Sequence, residues 1–408
     1  MPRLYHTKSK TGCKRCRARR VKCDEAWPTC GGCLRHQVDC TYDRLDSTGN
    51  AASPASTTSN SSSSKPKSRN PSLNEGRDRR YRELRLMHAF AVQTAPTMAG
   101  THLPELIETW SIEVPKLALD YEPLLSAIMA FASHHLARIA DTQEKADEYM
   151  NLRSLYLEST LYKHRIAVGG LTKHNADAVS FTTVILTFDS FANLRDRPLE
   201  PYEPPLQWLQ LSRGIGGVCK LALNLIQDDP GAKIWPVVTS MMPFIRHSRT
   251  VKVDALAHLL HVHEGEMPEA IDMDAYEETT RLLCWMLEAR ESGEHIKMFC
   301  RRMMAFSVLL PDRITGLLER RDSRALVMLA HFFALSSYAS EFWWVGDMPR
   351  REISAIRDFL EPKWHGMMVW PMKTAQENVP NTETISTGRV NEEGEVPGDT
   401  ESRQCRIY

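Results

Sequence analysis

Six of the chain's ten cysteines fall between Cys13 and Cys40, spaced Cys13-x2-Cys16-x6-Cys23-x6-Cys30-x2-Cys33-x6-Cys40. The pattern is one unit, C-x2-C-x6-C, used twice. Each C-x2-C is a tight thiolate hook of the kind that structural zinc sites use. Six thiolates give either one four-thiolate site with two ligands left over, or two sites if two sulfurs bridge; the internal symmetry favours two. The Trp27-Pro28-Thr29 turn lets the halves fold back on each other. A segment this short lies below the roughly 40 residues at which a hydrophobic core alone suffices. The metal is therefore expected to be structural, worth about 10–16 kcal/mol of folding free energy as in small zinc fingers. The amino terminus, MPRLYHTKSKTG, is polar and basic without the apolar run of a secretory signal. Clustered thiols then point to metal and away from a disulfide framework.

The chain has 51 Lys+Arg and 51 Asp+Glu, a formal net charge of zero, but the charge is unevenly spread. Residues 1–45 hold eleven Lys/Arg against four Asp/Glu. A basic head on a mildly acidic body fits a DNA-contacting module joined to something that does not touch DNA. Between Cys16 and Cys23 stand Arg17, Arg19, Arg20 and Lys22, whereas the matching stretch after Cys33, LRHQVD, has only Arg35 and His36. The halves are alike for metal and unlike for charge, so the first half is expected to face DNA. A short helix after Cys16 is expected to enter the major groove, where Arg or Lys reaches guanine O6 and N7.

The run TGCKRCRARRVKCDEAWPTCGGCLRHQVDCTY resembles the fungal Zn2Cys6 binuclear-cluster family of transcription factors. The resemblance covers about 35 residues and implies two Zn2+ ions bridged by Cys13 and Cys30. One ion would take Cys13, Cys16, Cys23 and Cys30, and the other Cys30, Cys33, Cys40 and Cys13. It further implies double-stranded DNA with CGG triplets as partner and the nucleus as place of action. Arg19 and Arg20 match base-contacting positions of the family; Arg17 and Lys22 match positions that hold phosphate. A cluster serving protein contact alone is the competing reading, and the charge asymmetry argues against it.

The head, residues 1–45, is followed by a Ser/Thr/Asn/Pro-rich stretch, residues 46–76, that has almost nothing apolar to bury and reads as a flexible, disordered linker. Residues 77–372 turn helical. Tyr121–Ala140 places Leu124, Leu125, Ile128, Met129, Leu136 and Ile139 on one face of period 3.6, and Ala146–Val168 is read the same way with Leu152, Leu155, Leu161 and Ile166. Further helical segments are expected at Asn175–Leu194, Gln207–Ile226, Ala275–Leu287 and Ser323–Ser340. Strand-like alternation is scarce, so the body is expected to be an all-α regulatory domain. The charge-free stretches Pro123–Ala137 and Ala325–Ser340 are shorter than the ~18 residues of a membrane span and read as buried core helices. Residues 373–408 form an acidic tail expected to be disordered. Tyr81, Leu84, His88 and Ala91 keep a/d spacing for less than two heptads, so this run reads as the body's first helix, and dimerisation stays open.

The pieces HLPELIETWSIEVPKLALDYEPLLSAIMAFASHHLARI, QWLQLSRGIGGV and ALVMLAHFFALSSYASEFWWVGDMPRREISAIRDFLEPKWHGMMVWPM resemble the regulatory domain of sterol-uptake-control-type zinc-cluster regulators. That resemblance implies an all-α dimerisation and ligand-sensing module. It leaves two readings of the body: a pocket for a small apolar ligand, or a structural and partner-binding domain. It also leaves secondary-metabolite or sterol-related genes as targets, and leans towards activation. Trp343, Trp344, Phe332 and Phe333 read as plain core. His134-His135 and His261-x-His263-Glu264 lack a convincing metal ligand set and read as surface or capping residues. Cys219, Cys284 and Cys300 read as small buried apolar residues. Gly214-Ile-Gly216-Gly217 lacks the spacing of a dinucleotide loop, and no Walker A, G-x-S-x-G or H-E-x-x-H sequence is present, so no enzyme is expected.

Overall fold

A computed structural model describes residues 12–379 except 20, 25–28, 37, 39, 41–70 and 263–265; for 71–75 and 215 only the backbone is described. The chain separates into two compact units, Met1–Arg69 and Asn70–Tyr408. Among the described residues every regular element is helical.

The first unit is built on two five-residue helices, Lys14–Ala18 and Gly31–Arg35. Each starts directly after a cysteine that caps it through sulfur. Cys13 Sγ accepts from the Cys16 amide at 3.4 Å, and Cys30 Sγ accepts from the Cys33 amide at 3.4 Å. Such short helices have no stability of their own in water. Their interior is sulfur: Cys13, Cys16, Cys23, Cys30 and Cys33 are buried, with Val38 and Cys40 packed against them. The first helix begins after Cys13 and contains Cys16, so the expectation of a helix starting after Cys16 is corrected by one turn. The reason is the cap: the sulfur of the leading cysteine of each hook takes up the orphan amide of the first turn.

In the second unit the Glu122–Arg138 helix packs along the Gln143–Gly169 helix. Ala176–Ala192 lies against both Glu122–Arg138 and Leu206–Leu225. Ser323–Ser336 sits deepest: every residue from Arg324 to Ser336 is buried, as expected for a helix that is apolar all round. Ala270–Glu291, Met348–Phe359 and Val369–Glu377 surround it. Phe332, Phe333, Trp343 and Trp344 are in this core. Trp343 stacks on His135 with ring centroids 4.7 Å apart, and its indole N–H donates to Thr97 Oγ1 at 2.9 Å. Cys284 and Cys300 are buried thiols, and Cys219 is partly buried. Among the described residues no helix is long and apolar enough to cross a membrane. The Pro71–Ala89 helix buries Leu86 and Ala89 in the body's core, while Tyr81 and Leu84 are exposed.

Two expectations fail here, for related reasons. Leu155, Leu161 and Ile166 do not join Leu152 in the core; they are exposed, and the buried face is Leu152, Arg153, Tyr156, Thr160 and His164. Leu161 stands nine residues beyond Leu152, half a turn round a helix of 3.6 residues per turn, so the three leucines and the isoleucine never shared one face. What holds the helix is partly polar. Arg153 pairs with Asp189 of the Ala176–Ala192 helix, and His164 Nε2 lies 3.0 Å from Thr183 Oγ1. Likewise His134 and His135 are buried and not surface or capping residues. His134 Nδ1 meets Asp189 Oδ1 at 2.8 Å, and His135 Nδ1 meets Thr94 Oγ1 at 3.0 Å. Buried polar groups are kept by such partners. His261 is exposed, and His263 and Glu264 lie outside the described residues.

Candidate metal centre and nucleic-acid interface

The six cysteine sulfurs fall into two four-membered groups. Cys13, Cys16, Cys23 and Cys30 have Sγ atoms all within 4.8 Å of one another, and so do Cys13, Cys30, Cys33 and Cys40. Cys13 and Cys30 belong to both. The Sγ–Sγ distances are 3.7 Å for Cys13–Cys30, 3.6 Å for Cys13–Cys33 and 3.6 Å for Cys16–Cys30. A disulfide requires about 2.05 Å. Zinc at about 2.3 Å from each of four tetrahedral sulfurs places them roughly 3.8 Å apart, so the spacing suits metal and excludes sulfur–sulfur bonds.

The backbone repeats the same support in each half. Cys13 N–H donates to Cys23 Sγ at 3.5 Å, and Cys30 N–H donates to Cys40 Sγ at 3.3 Å. These amides, with those of Cys16 and Cys33, aim partial positive charge at sulfur and favour the thiolate. Burial, reinforced by hydrogen bonds from neighbouring sulfurs, raises the Cys16 and Cys33 thiols above their ordinary range. A divalent cation reverses that balance, because a coordinating thiol loses its proton outright. The donor set therefore fits zinc: soft sulfur, tetrahedral grouping and no open coordination position.

Gly31 and Gly32 explain how the halves approach. A Cβ on Gly32 would lie 3.3 Å from Cys16 Sγ and 3.8 Å from Cys30 Sγ, and one on Gly31 would lie 2.6 Å from Asp24 Oδ2. The Gly31 amide donates to both Asp24 carboxylate oxygens, at 3.1 and 2.9 Å. Glycine in the second hook gives the first half's sulfur and the Asp24 carboxylate room to approach its backbone closely.

In the first hook the same two positions are Lys14 and Arg15, and both are exposed. Arg19 and Lys22 are exposed as well, and Arg17 is half-buried. Arg20 lies outside the described residues. Sequence reasoning confined to the interval between Cys16 and Cys23 missed Lys14 and Arg15; the signal was the contrast of Lys-Arg with Gly-Gly inside the two hooks. The outcome is a first half that presents exposed cations around the Lys14–Ala18 helix, while the second half presents Leu34, Arg35 and His36.

Residues 11–48 match the fungal Zn(2)-Cys(6) binuclear cluster domain. Over 335 residues the chain is 37% identical to the Zn(2)-C6 fungal-type transcription factor afumD of Aspergillus fumigatus, covering 81% of this chain and 86% of that protein. A Zn(2)-C6 fungal-type transcription factor of Gibberella zeae is 27% identical over 92% of this chain and 87% of its own length. Sterol uptake control protein 2 of Saccharomyces cerevisiae is 24% identical over 64% of this chain but only 28% of that protein. With two zinc ions as the cofactor of the cluster domain and similarity running through the helical body, the chain belongs to the fungal Zn(2)-C6 transcription factors, a non-enzymatic family of DNA-binding regulators.

Proposed function

We propose that Cys13, Cys16, Cys23 and Cys30 hold one zinc ion, that Cys30, Cys33, Cys40 and Cys13 hold the second, and that the head so folded reads CGG-type half-sites. The observation that carries this is the sharing of Cys13 and Cys30 between the two sulfur groups, beside a half that is exposed and cationic. Arg19 and Arg20 take base edges, where a bidentate contact discriminates by about 1–3 kcal/mol. Arg17 and Lys22 take phosphates, joined by Lys14 and Arg15, which are exposed on the same half. The zinc ions supply fixed geometry and no chemistry; the side chains do the reading. Selection of bound duplexes from a random-sequence pool by the full-length, zinc-loaded protein tests this. Enrichment of CGG triplets is expected, and enrichment of an unrelated motif contradicts the half-site.

The protein acts in the nucleus as an activator under this reading, on secondary-metabolite or sterol-related genes. Partial similarity to Sterol uptake control protein 2 supports the second class of target. The body is read as the regulatory part, receiving a small apolar effector and forming a homodimer. For the dimer, the support is the outward stripe Leu155, Tyr162 and Ile166 on the Gln143–Gly169 helix, all exposed. Sedimentation of the wild type and of a Tyr162→Glu, Ile166→Glu variant tests it. Loss of the dimer in the variant is expected; a monomeric wild type contradicts it.

A further inference from the structure

Among the described residues of the body four arginines are buried: Arg153, Arg301, Arg302 and Arg324. Three face carboxylates: Arg153 with Asp189, Arg302 with Glu294 and Arg324 with Glu266. Arg301 differs. Among the described residues its guanidinium is held by neutral oxygens, Nη1 donating to Ser240 Oγ at 2.7 Å and Nη2 to the Val237 carbonyl. Burial lowers its pKa to about 10, with Glu105 acting on it only as a more distant charge, so it carries its charge at neutral pH. A buried charge without a counter-ion is among the more expensive features a fold can keep.

The groups around it offer no ion pair: the neighbouring imidazoles of His102 and His295 are held neutral, and Glu105 acts only as a nearby charge. His102 stacks on His295 with ring centroids 4.0 Å apart, and His295, Lys297 and Arg301 all act on His102 to disfavour its protonation, after burial as the main cause. Backbone is shaped to admit the guanidinium. Gly100 has φ +88°, and a Cβ there would stand 2.6 Å from Arg301 Cδ and 2.7 Å from Leu106 Cδ1.

Arg301 also lines an apolar cavity of about 200 Å3, together with Trp110, Phe188, Met241, Met304 and Val308. A cavity of about 150 Å3 with apolar walls holds a benzene molecule. This one therefore has room for a single ring or a short branched chain.

We propose that this cavity is a receptor site for a small apolar monocarboxylic acid. Its carboxylate pairs with Arg301, and its hydrocarbon part lies against Trp110, Phe188 and Met304. The inference rests on reading the body as effector-receiving, and it names the site and the chemical class.

The test uses full-length, zinc-loaded protein with benzoate and its neutral isostere benzamide, read by calorimetry and thermal shift. Benzoate is expected to bind at least 10-fold more tightly, the range of a charge-assisted hydrogen bond. Arg301→Met is expected to fold, since it removes an unpaired buried charge, and to erase the preference. Ala305→Leu, which narrows the same cavity, is expected to weaken both probes while leaving Arg301 in place; it decides the matter should Arg301→Met fail to fold. Equal binding of benzoate and benzamide overturns the acid while sparing the effector reading. Benzoate binding unchanged in Ala305→Leu overturns the site. No binding of either probe removes both.

Discussion

The Sγ atoms of Cys13 and Cys30 lie 3.7 Å apart, and both sulfurs belong to each of the two four-sulfur groups of the head. The remaining four cysteines belong to one group each. Ligand loss is therefore expected to be unequal. Cys13→Ala or Cys30→Ala removes a ligand from both groups and should reduce zinc to below about one ion per chain. Cys16→Ala or Cys40→Ala should leave about one. Metal analysis of the purified full-length variants checks this, and equal losses across all four would contradict bridging by Cys13 and Cys30.

Arg19 and Lys22 are both exposed on the first half but are assigned different roles. Arg19→Ala should weaken binding to the specific site by about 1–3 kcal/mol and relax the choice of one base. Lys22→Ala should weaken specific and scrambled duplexes alike and reduce the salt slope by about one unit. Binding curves at several salt concentrations separate the two. Identical behaviour of the variants would show the assignment to be wrong.

Gly32 and Arg15 occupy equivalent places in the two hooks, yet only Gly32 faces sulfur, with its hypothetical Cβ 3.3 Å from Cys16 Sγ. Gly32→Val should loosen the cluster by about 10–100-fold in zinc affinity, the range for disturbed outer-shell support. Arg15→Val should leave zinc affinity unchanged, because Arg15 is exposed. Competition with a chromophoric chelator reads both. Equal affinity of the two variants would remove the packing argument for Gly-Gly.

Buried histidines make the body acid-sensitive. Burial lowers His135 and His331 to about 3 and His164 to about 4. The folded state keeps them neutral, while an unfolded chain protonates them near pH 6.5. Their contribution is therefore fully present above pH 6.5 and is lost as pH falls from there to about 4 for His164 and to about 3 for His135 and His331. Each adds a slope of up to about 1.4 kcal/mol per pH unit. Asp189 acts lower down. Burial alone would raise its carboxyl, but His134 and Arg153 reverse this and hold it at about 2, so its share is lost only between about pH 4 and 2. Thermal melts should fall steadily from pH 6.5 to 4.5; a flat melting temperature across that range would contradict the assignment.

The head was legible because its information is local. Ligand spacing, the repeat and the charge contrast all lie within one short run, and the internal symmetry of the repeat already favours two metal sites over one. The all-α body was legible from helical periodicity, and Ala325–Ser340 as a core segment follows from its lack of charge. The Gln143–Gly169 helix was not. Its buried face is set by Arg153 meeting Asp189 and by His164 meeting Thr183, partners remote along the chain that no local pattern reports. His134 and His135 were missed for the same reason: polar residues enter the core when a distant partner is waiting. Arg301 carries no local signal of its burial, because the oxygens that hold it, Ser240 Oγ and the Val237 carbonyl, are some sixty residues away along the chain.

If the zinc-held cluster is what recognises DNA, binding must follow the metal. Fluorescence anisotropy of the full-length protein, zinc-loaded and chelated, against CGG-containing and scrambled duplexes at two salt concentrations tests it directly. Tight binding to CGG duplexes that disappears on chelation, with weaker and more salt-dependent binding to the scrambled duplex, is the predicted result. Binding of equal strength with and without zinc, or none in either state, would contradict it.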